Sequence, residues 1–249
     1  MKTEILFGLH SVREAMRAGR RRMFEIYICK DRPSPRIAEM AALAASVHVP
    51  IKQITPKELT SLCGSEFHQG IGAKAQSYPL ADLSVLPEKP DTFLLLTDSI
   101  SDTHNLGALI RTALCAGVDG VILPKDRAAS PVPSVSRASA GALEHMPVVQ
   151  VANLVNTIKE LKEKGMWIAG MAADGNQSLF QSDLTGPLAI VIGGEEKGIR
   201  PLVRKHCDFL IRIPQEGQID SLNASVAGAV VMYEAYRQRT EPEKLKTRR

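Results

Sequence analysis

No two cysteines of this 249-residue chain stand close together: Cys29, Cys63, Cys115 and Cys207 are scattered singly. Without a CxxC pair there is no zinc-site spacing and no disulfide framework, so reduced thiols, buried or at the surface, are expected. His10, His48, His68, His104, His145 and His206 show no metal-ligand spacing either, and no metal is expected. No apolar run approaches the roughly 20 residues that cross a bilayer. The opening MKTEILFGLHSVREAM lacks the apolar centre of a signal peptide. A cytoplasmic protein with no membrane partner is therefore expected. Two nucleotide fingerprints are missing as well. There is no GxGxxG, and in LAIVIGGEEKGIR the GxxxxG spacing of a P-loop runs into Ile199 and Arg200, where a phosphate-gripping Lys and a Ser or Thr should stand.

What is present has an ordinary composition, 44% hydrophobic and 23% charged, which fits a globular chain of one large or two small domains. The net charge of +4 is unevenly spread. Residues 1–80 hold 12 Lys and Arg against 7 Asp and Glu, residues 81–236 hold 13 against 18, and residues 237–249 hold 6 against 2. Arg13, Arg17, Arg20, Arg21 and Arg22 cluster on and just after a short helix, the kind of patch that holds phosphates. A solvated helix end with cations at the negative pole of the dipole is the plainer alternative.

Helix and strand patterns alternate from the start. A helix over 10–18, a strand at 24–29, an Ala-rich helix over 36–46, a strand at 49–54, a short helix opened by Thr55-Pro56 and a strand at 70–75 predict a small α/β domain over residues 1–78. Residues 79–91, where Pro79, Pro87 and Pro90 break any period, read as a linker. Strands near 93–97, 119–123, 146–151, 167–171, 188–192 and 209–213, separated by helical segments, predict a second α/β domain over 92–239 with a parallel sheet covered on both faces. Residues 240–249 form a basic tail.

Ligands of such sheets lie beyond the carboxyl ends of the strands, which directs attention to three loops. In DSISDTHNLGALIRTALCAG a helix beginning near Asn105 sets Leu106, Leu109, Ile110, Ala113 and Leu114 in one apolar stripe, with Arg111 off it on the rim. Asn105 and Gly107 at its start offer amides and close backbone approach to an anion. The second loop holds Gly193, Gly194, Glu195 and Gly198 after an apolar strand. In IPQEGQIDSLNASVAGAVVMYEAY, the uncharged run from Val226 to Tyr233 predicts a helix buried on every side. Gln218, Asp220, Ser221, Asn223 and Ser225 crowd its entry. One cap needs one such residue, so the surplus argues for a site.

Together, HNLGALIRTA, VIGGEEKGI and IPQEGQIDSLNASVA resemble motifs 1, 2 and 3 of the SpoU (TrmH) family of the SPOUT superfamily, RNA ribose 2′-O-methyltransferases that use S-adenosylmethionine. FHQGIGAK and its surroundings resemble the family's L30e-like RNA-binding domain. VILPKDRAAS and ASAGALEHMPV resemble the subgroup that acts on a guanosine in the peptidyl transferase loop of 23S rRNA. The resemblance implies a C-terminal α/β-knot domain with a deep trefoil knot, an exception to the unknotted rule, and a homodimer packed through the last helix. It assigns Gly193, Gly194, Gly198, Ile213 and Leu222 to the methyl donor. Arg111, Asn105, Glu195, Ser221 and Asn223 fall to catalysis, with Glu195 fixing the motif 2 loop or Arg111. The chain departs from relatives at Thr103-His104 and at Glu196, which adds charge near an RNA-facing loop. Two other readings stay open: the same chemistry on another rRNA or tRNA nucleotide, including resistance-type methylation, and a non-catalytic L30e-type RNA binder.

Overall fold

The computed structural model describes residues 2–30, 34–195, 197–217 and 221–240. They form two compact α/β units. One comprises the residues up to Pro79 together with Pro131–His145, the other Leu80–Ser130 together with the residues from Met146 onward.

The first unit runs β1 (Thr3–Phe7), α1 (Leu9–Ala18), β2 (Met23–Cys29), α2 (Pro35–Ser46), β3 (Ile51–Ile54), α3 (Pro56–Cys63) and β4 (Ile71–Gln76). Its sheet has the order β1-β4-β2-β3, with β4 antiparallel to both neighbours and β3 parallel to β2. The helix starts follow local chemistry. Ser34 Oγ accepts from Ile37 N at 3.2 Å with Pro35 following, and Thr55 and Glu58 form a reciprocal capping box ahead of α3. Leu6, Val12, Ile26, Met40 and Ile71 are among the core residues.

Three expectations change here. β1 was not foreseen, because TEILF is short and its partner β4 lies some 70 residues away. The stretch expected to be a linker is packed: Ala81 N donates to Val148 O at 2.9 Å and Leu86 is buried in the core of the second unit. Residues 131–145, expected in the catalytic span, belong to the first unit, where they form the one-and-a-half-turn helix α5 (Pro133–Ala138) and a 3-10 turn over Ala142–Glu144.

An internal ion pair holds that segment. The Arg21 side chain is fully buried and donates from Nε to Glu144 Oε2 at 2.6 Å and from Nη2 to Glu144 Oε1 at 3.1 Å. It also contacts Glu4 and stacks on Tyr78, 5.1 Å from the ring centroid. Ser136 Oγ donates to Glu144 Oε1 at 2.6 Å, satisfying the carboxylate further.

The second unit runs β5 (Phe93–Asp98), α4 (Thr103–Cys115), β6 (Gly120–Pro124), β7 (Val148–Val151), α6 (Leu154–Glu163), β8 (Trp167–Met171), β9 (Gln177–Ser178), β10 (Leu188–Gly193), α7 (Pro201–His206), β11 (Phe209–Arg212) and α8 (Ala224–Thr240). The seven strands are ordered β7-β6-β5-β10-β8-β11-β9 and every pairing is parallel. From β5 the chain winds outward to β6 and β7, crosses over, and returns to insert β10 between β5 and β8. The carboxyl ends of β5 and β10 thus form a topological switch point, where open α/β sheets place their ligands.

α8 packs on α4 and β10, and Gly228 makes that approach possible: a Cβ there would lie 2.3 Å from Leu109 Cδ2 and 2.7 Å from Ile192 Cδ1. The expectation of a helix buried all round is corrected for the single chain. Ala224, Gly228, Val231, Met232, Ala235 and Gln238 face inward, while Val226, Tyr233 and Tyr236 keep 48%, 49% and 42% of their surface exposed. A missing charge signals an apolar surface but does not say what covers it.

Candidate active site

β5 ends at Asp98, which stands in register with Gly193, the last residue of β10. Asp98 is fully buried, and its carboxylate accepts from Arg200 N at 2.7 Å and from Arg200 Nε at 2.6 Å. The loop leaving β10 is thereby tied back to the neighbouring strand. Between these anchors the loop closes tightly. A Cβ on Gly193 would stand 2.1 Å from the Gly198 carbonyl carbon, and one on Gly194 would stand 2.5 Å from Ser99 O. Gly198 has φ +60°, in the left-handed region. Only glycines let the main chain line a cavity here.

That cavity is a cleft of about 250 Å³. All five residues expected at the donor, Gly193, Gly194, Gly198, Ile213 and Leu222, line it, together with Ser221 and Glu195. Met171, Ala172 and Ala173 at the end of β8, and Gln215, complete the wall and were not anticipated. Small residues after a short strand give no sequence signal of their own. A wall of glycines and largely apolar residues with one charge, Glu195, fits an adenosine, which is recognised by apolar contact and a handful of hydrogen bonds.

Three loops meet at one polar contact on the rim. Asn223 Nδ2 donates to Glu195 Oε1 at 2.9 Å and to Asn105 Oδ1 at 3.1 Å, and Asn105 Nδ2 also donates to Glu195 Oε1. Asn223 has a second task. Its Oδ1 accepts from Ser225 N at 2.9 Å, Val226 N at 3.3 Å and Ser225 Oγ at 2.6 Å, so it caps the first turn of α8. Glu195 therefore engages the two asparagines rather than Arg111, contrary to the expected alternative.

α4 begins at Thr103, two residues before Asn105 and so close to the expected start, because Asp102 Oδ1 accepts from His104 N at 2.9 Å and caps the helix there. Asn105 thus lies inside the first turn and is buried. Leu114, placed on the apolar stripe, is 37% exposed, unlike Leu106, Leu109, Ile110 and Ala113. Arg111 is exposed and makes no hydrogen bond or ion pair among the described residues. It sits about 9 Å further along the axis of α4 than Asn105 and is not among the residues lining the cleft.

A second hollow, of about 450 Å³, adjoins the cleft. It shares Gly194, Glu195 and Gly198 with the first and adds Asp102, Asn105, Arg127, Lys197 and Arg200. Arg127 and Lys197, with Arg200 held by Asp98, stand there beside the carboxylates of Asp102 and Glu195, a mixed polar lining that suits a ribose-phosphate. Asp98, Arg127 and Arg200 were missed, although a lone carboxylate ending the buried strand FLLLTD was a legible signal. Glu196, Gln218 and Asp220 lie outside the described residues, as do the tail residues beyond Thr240.

The five N-terminal arginines divide. Arg13 pairs with Glu14 at 2.8 Å, Arg17 is half exposed with Glu14 at 3.5 Å, Arg20 donates to the Tyr78 hydroxyl at 3.1 Å, and Arg22 stacks on Phe24 at 5.2 Å. Arg21 departs from the expected phosphate-gripping set, because its guanidinium is spent inside the protein on Glu144 and Glu4.

Comparison with known proteins agrees with this geometry. The SpoU rRNA Methylase family matches residues 92–233, and the family described as RNA 2′-O ribose methyltransferase substrate binding matches residues 5–81. A parallel sheet with a glycine-lined cleft at its switch point and these matches define the class: the chain belongs to the SpoU rRNA methylase family. Among its relatives is the 23S rRNA (guanosine-2′-O-)-methyltransferase RlmB of Pseudomonas putida, 39% identical over 241 residues, which are 95% of this chain and 97% of that protein. The RlmB of Pectobacterium atrosepticum is 41% identical over 245 residues, 95% and 99% of the two chains. Among solved structures, the SpoU methyltransferase AviRb from Streptomyces viridochromogenes in complex with AdoMet superposes with a TM-score of 0.84 at 26% identity, covering 95% of this chain and 90% of that one.

Proposed function

We propose that the protein transfers a methyl group from S-adenosylmethionine to the ribose 2′-hydroxyl of a guanosine in the peptidyl transferase loop of 23S rRNA. The observation that carries this reading is the Asn105–Glu195–Asn223 contact, which joins one residue from each motif through Glu195, a residue lining both the donor-sized cleft and the neighbouring hollow. The donor supplies an electrophilic methyl on a sulfonium. Gly193, Gly194, Gly198, Ile213 and Leu222 hold its adenosine part, largely through main chain. Arg127, Lys197 and Arg200 receive the acceptor's phosphates, and Asn105, Ser221 and Asn223 orient its ribose. Bringing two substrates into line supplies much of the rate of such a displacement.

The 2′-hydroxyl must lose its proton as it attacks. Arginine side chains carry five donors and no acceptor, so we assign Arg111 the task of polarising the hydroxyl and stabilising the developing alkoxide, with a phosphate or solvent taking the proton. Its exposure and lack of any partner among the described residues leave it available. The first unit, with Arg13, Arg17, Arg20 and Arg22, holds RNA phosphates without reading bases. A homodimer through the knotted domain covers the open apolar face of α8, where Tyr233 and Tyr236 meet edge to face at 6.0 Å. The protein acts in the cytoplasm.

The test incubates the purified protein and its Arg111→Ala variant with labelled donor and unmodified large-subunit rRNA, then maps 2′-O-methyl nucleosides by mass spectrometry. One methylated guanosine in the peptidyl transferase loop, absent with the variant, is the expected result. A methylated nucleotide elsewhere would refute the target, and donor binding without any transfer would refute the enzyme.

A further inference from the structure

The segment FHQG, Phe67 to Gly70, is built to hold an aromatic ring out of the protein. His68 is 4% exposed; its Nδ1 accepts from Gly70 N at 3.0 Å, its Nε2 meets Thr60 Oγ1 at 3.2 Å, and its carbonyl accepts from Ile71 N at 3.1 Å. Gly70 O in turn accepts from Cys29 N at 3.0 Å, joining the loop to β2. On one side of this buried anchor Phe67 keeps 66% of its surface exposed, with Phe67 N donating to Ser65 Oγ at 3.2 Å. On the other side Gln69, at φ +55°, turns its amide back so that Oε1 accepts from Leu9 N at 3.1 Å. A non-glycine residue held in that region needs its surroundings to fix it. The loop is thus pinned from inside while its largest apolar side chain is left in water.

Arg137, from α5, completes the feature. Its guanidinium carbon lies 4.8 Å from the Phe67 ring centroid and 5.8 Å from that of Phe7, within cation–π range of both. Its stem passes Gly8, where a Cβ would meet Arg137 Cγ at 3.9 Å. No carboxylate pairs with Arg137 among the described residues. An exposed ring carrying an unneutralised planar cation, in the net-positive N-terminal part of the chain, favours a ligand with a flat π-face and a negative charge. Unstacked RNA bases with their phosphates have both, and aromatic rings and arginine planes are how proteins hold them.

We propose that Phe67 and Arg137 form a stacking platform for one unpaired RNA base, so that the first unit recognises single-stranded loop structure as well as phosphate charge. The proposal deepens the function given above and rests on it. It also gives the unit a way to prefer a loop over a duplex, which a purely cationic surface lacks.

The experiment measures binding of the full chain to a labelled 23S rRNA hairpin with an unpaired loop, and to a fully paired duplex of equal length, across a salt series. Calorimetry with the methyl donor and thermal unfolding serve as controls. Phe67→Leu should weaken hairpin binding about tenfold, within the range for losing one stacked base, and leave duplex binding, donor affinity and the salt slope unchanged. Phe67→Trp should restore the hairpin preference. Arg137→Lys, which keeps the charge and loses the plane, should cost about threefold on the hairpin alone. Equal affinity of wild type and Phe67→Leu for the hairpin, or an equal loss on hairpin and duplex, would overturn the platform and assign the ring to a protein contact. The methyl-transfer assay reads the underlying function separately: transfer retained with an unchanged hairpin preference sinks the platform alone, and absence of transfer in the wild type sinks the function.

Discussion

In the first unit the decisive polar group is inside: Arg21 and Glu144 are sealed from water and linked through Ser136, Glu4 and Tyr78. In the second unit the buried carboxylate of Asp98 is held by the part-exposed Arg200, and the polar group that joins the three motifs sits at the surface, with Asn105 buried but Glu195 and Asn223 exposed. Both are networks of short hydrogen bonds among charged and amide side chains, yet their settings give them different work. A desolvated ion pair is costly to open and so acts as a clamp, here on residues 131–145. A rim network in contact with solvent is cheap to rearrange and contributes little to stability, which leaves it free to meet a substrate.

The sharpest way to break the comparison is Glu144→Ala. Removing the carboxylate leaves a buried guanidinium with Glu4 alone and its Nε and Nη2 donors unmet, and should destabilise the first unit by about 3 kcal/mol, read by urea unfolding. Replacing both partners, Arg21→Met with Glu144→Leu, should recover most of that loss, and calorimetric donor affinity should stay unchanged throughout. A single variant as stable as wild type would show that the clamp is not one. Next comes Asn223→Ala, which removes the cap of α8 and the rim contact together. A stability loss of about 1 kcal/mol is expected from the cap, while methyl transfer should fall by about two orders of magnitude, comparable to losing a group aimed at a transition state. Equal proportional losses in both readouts would make Asn223 a structural residue only. Asn223→Asp should keep the cap and lose activity, because a second carboxylate then faces Glu195.

The smallest effect concerns a property the two units share. Burial pushes the Cys63 thiol in the first unit and the Cys207 thiol in the second up to about 11, and Cys29 is enclosed. A thiol-directed reagent at pH 7.5 should therefore label Cys115 alone, which is exposed at the end of α4. Mass spectrometry after brief labelling checks this, and modification of Cys63 or Cys207 at a similar rate would mean that their surroundings open readily.

Local chemistry made much of the architecture legible. Thr55-Pro56 marked α3 because capping is settled within four residues, and the apolar strands near 93–97 and 188–192 marked a parallel sheet because burial on both faces leaves no alternation to misread. The glycine loop and the entry of α8 stood out for what they held in excess of structural need. What stayed hidden depends on partners distant in the chain. Arg21 looked like its neighbours, since nothing near it announces a carboxylate 123 residues away. Asp98 and Arg200, 102 residues apart, read as a strand end and a failed P-loop. The open face of α8 could not be told from a buried one, because an uncharged helix is consistent with either.

The placement of residues 131–145 has a consequence in time. During synthesis the ribosome releases Pro79 before the strand and helix of β5 and α4, and about 65 more residues must follow before His145 appears. At the usual elongation rate that is a delay of about 3–13 s. Throughout it Arg21 has Glu4 but no Glu144, so the unit made first is the one that must wait to finish folding, and a stall or truncation anywhere before His145 would leave its buried cation with one of its two carboxylates.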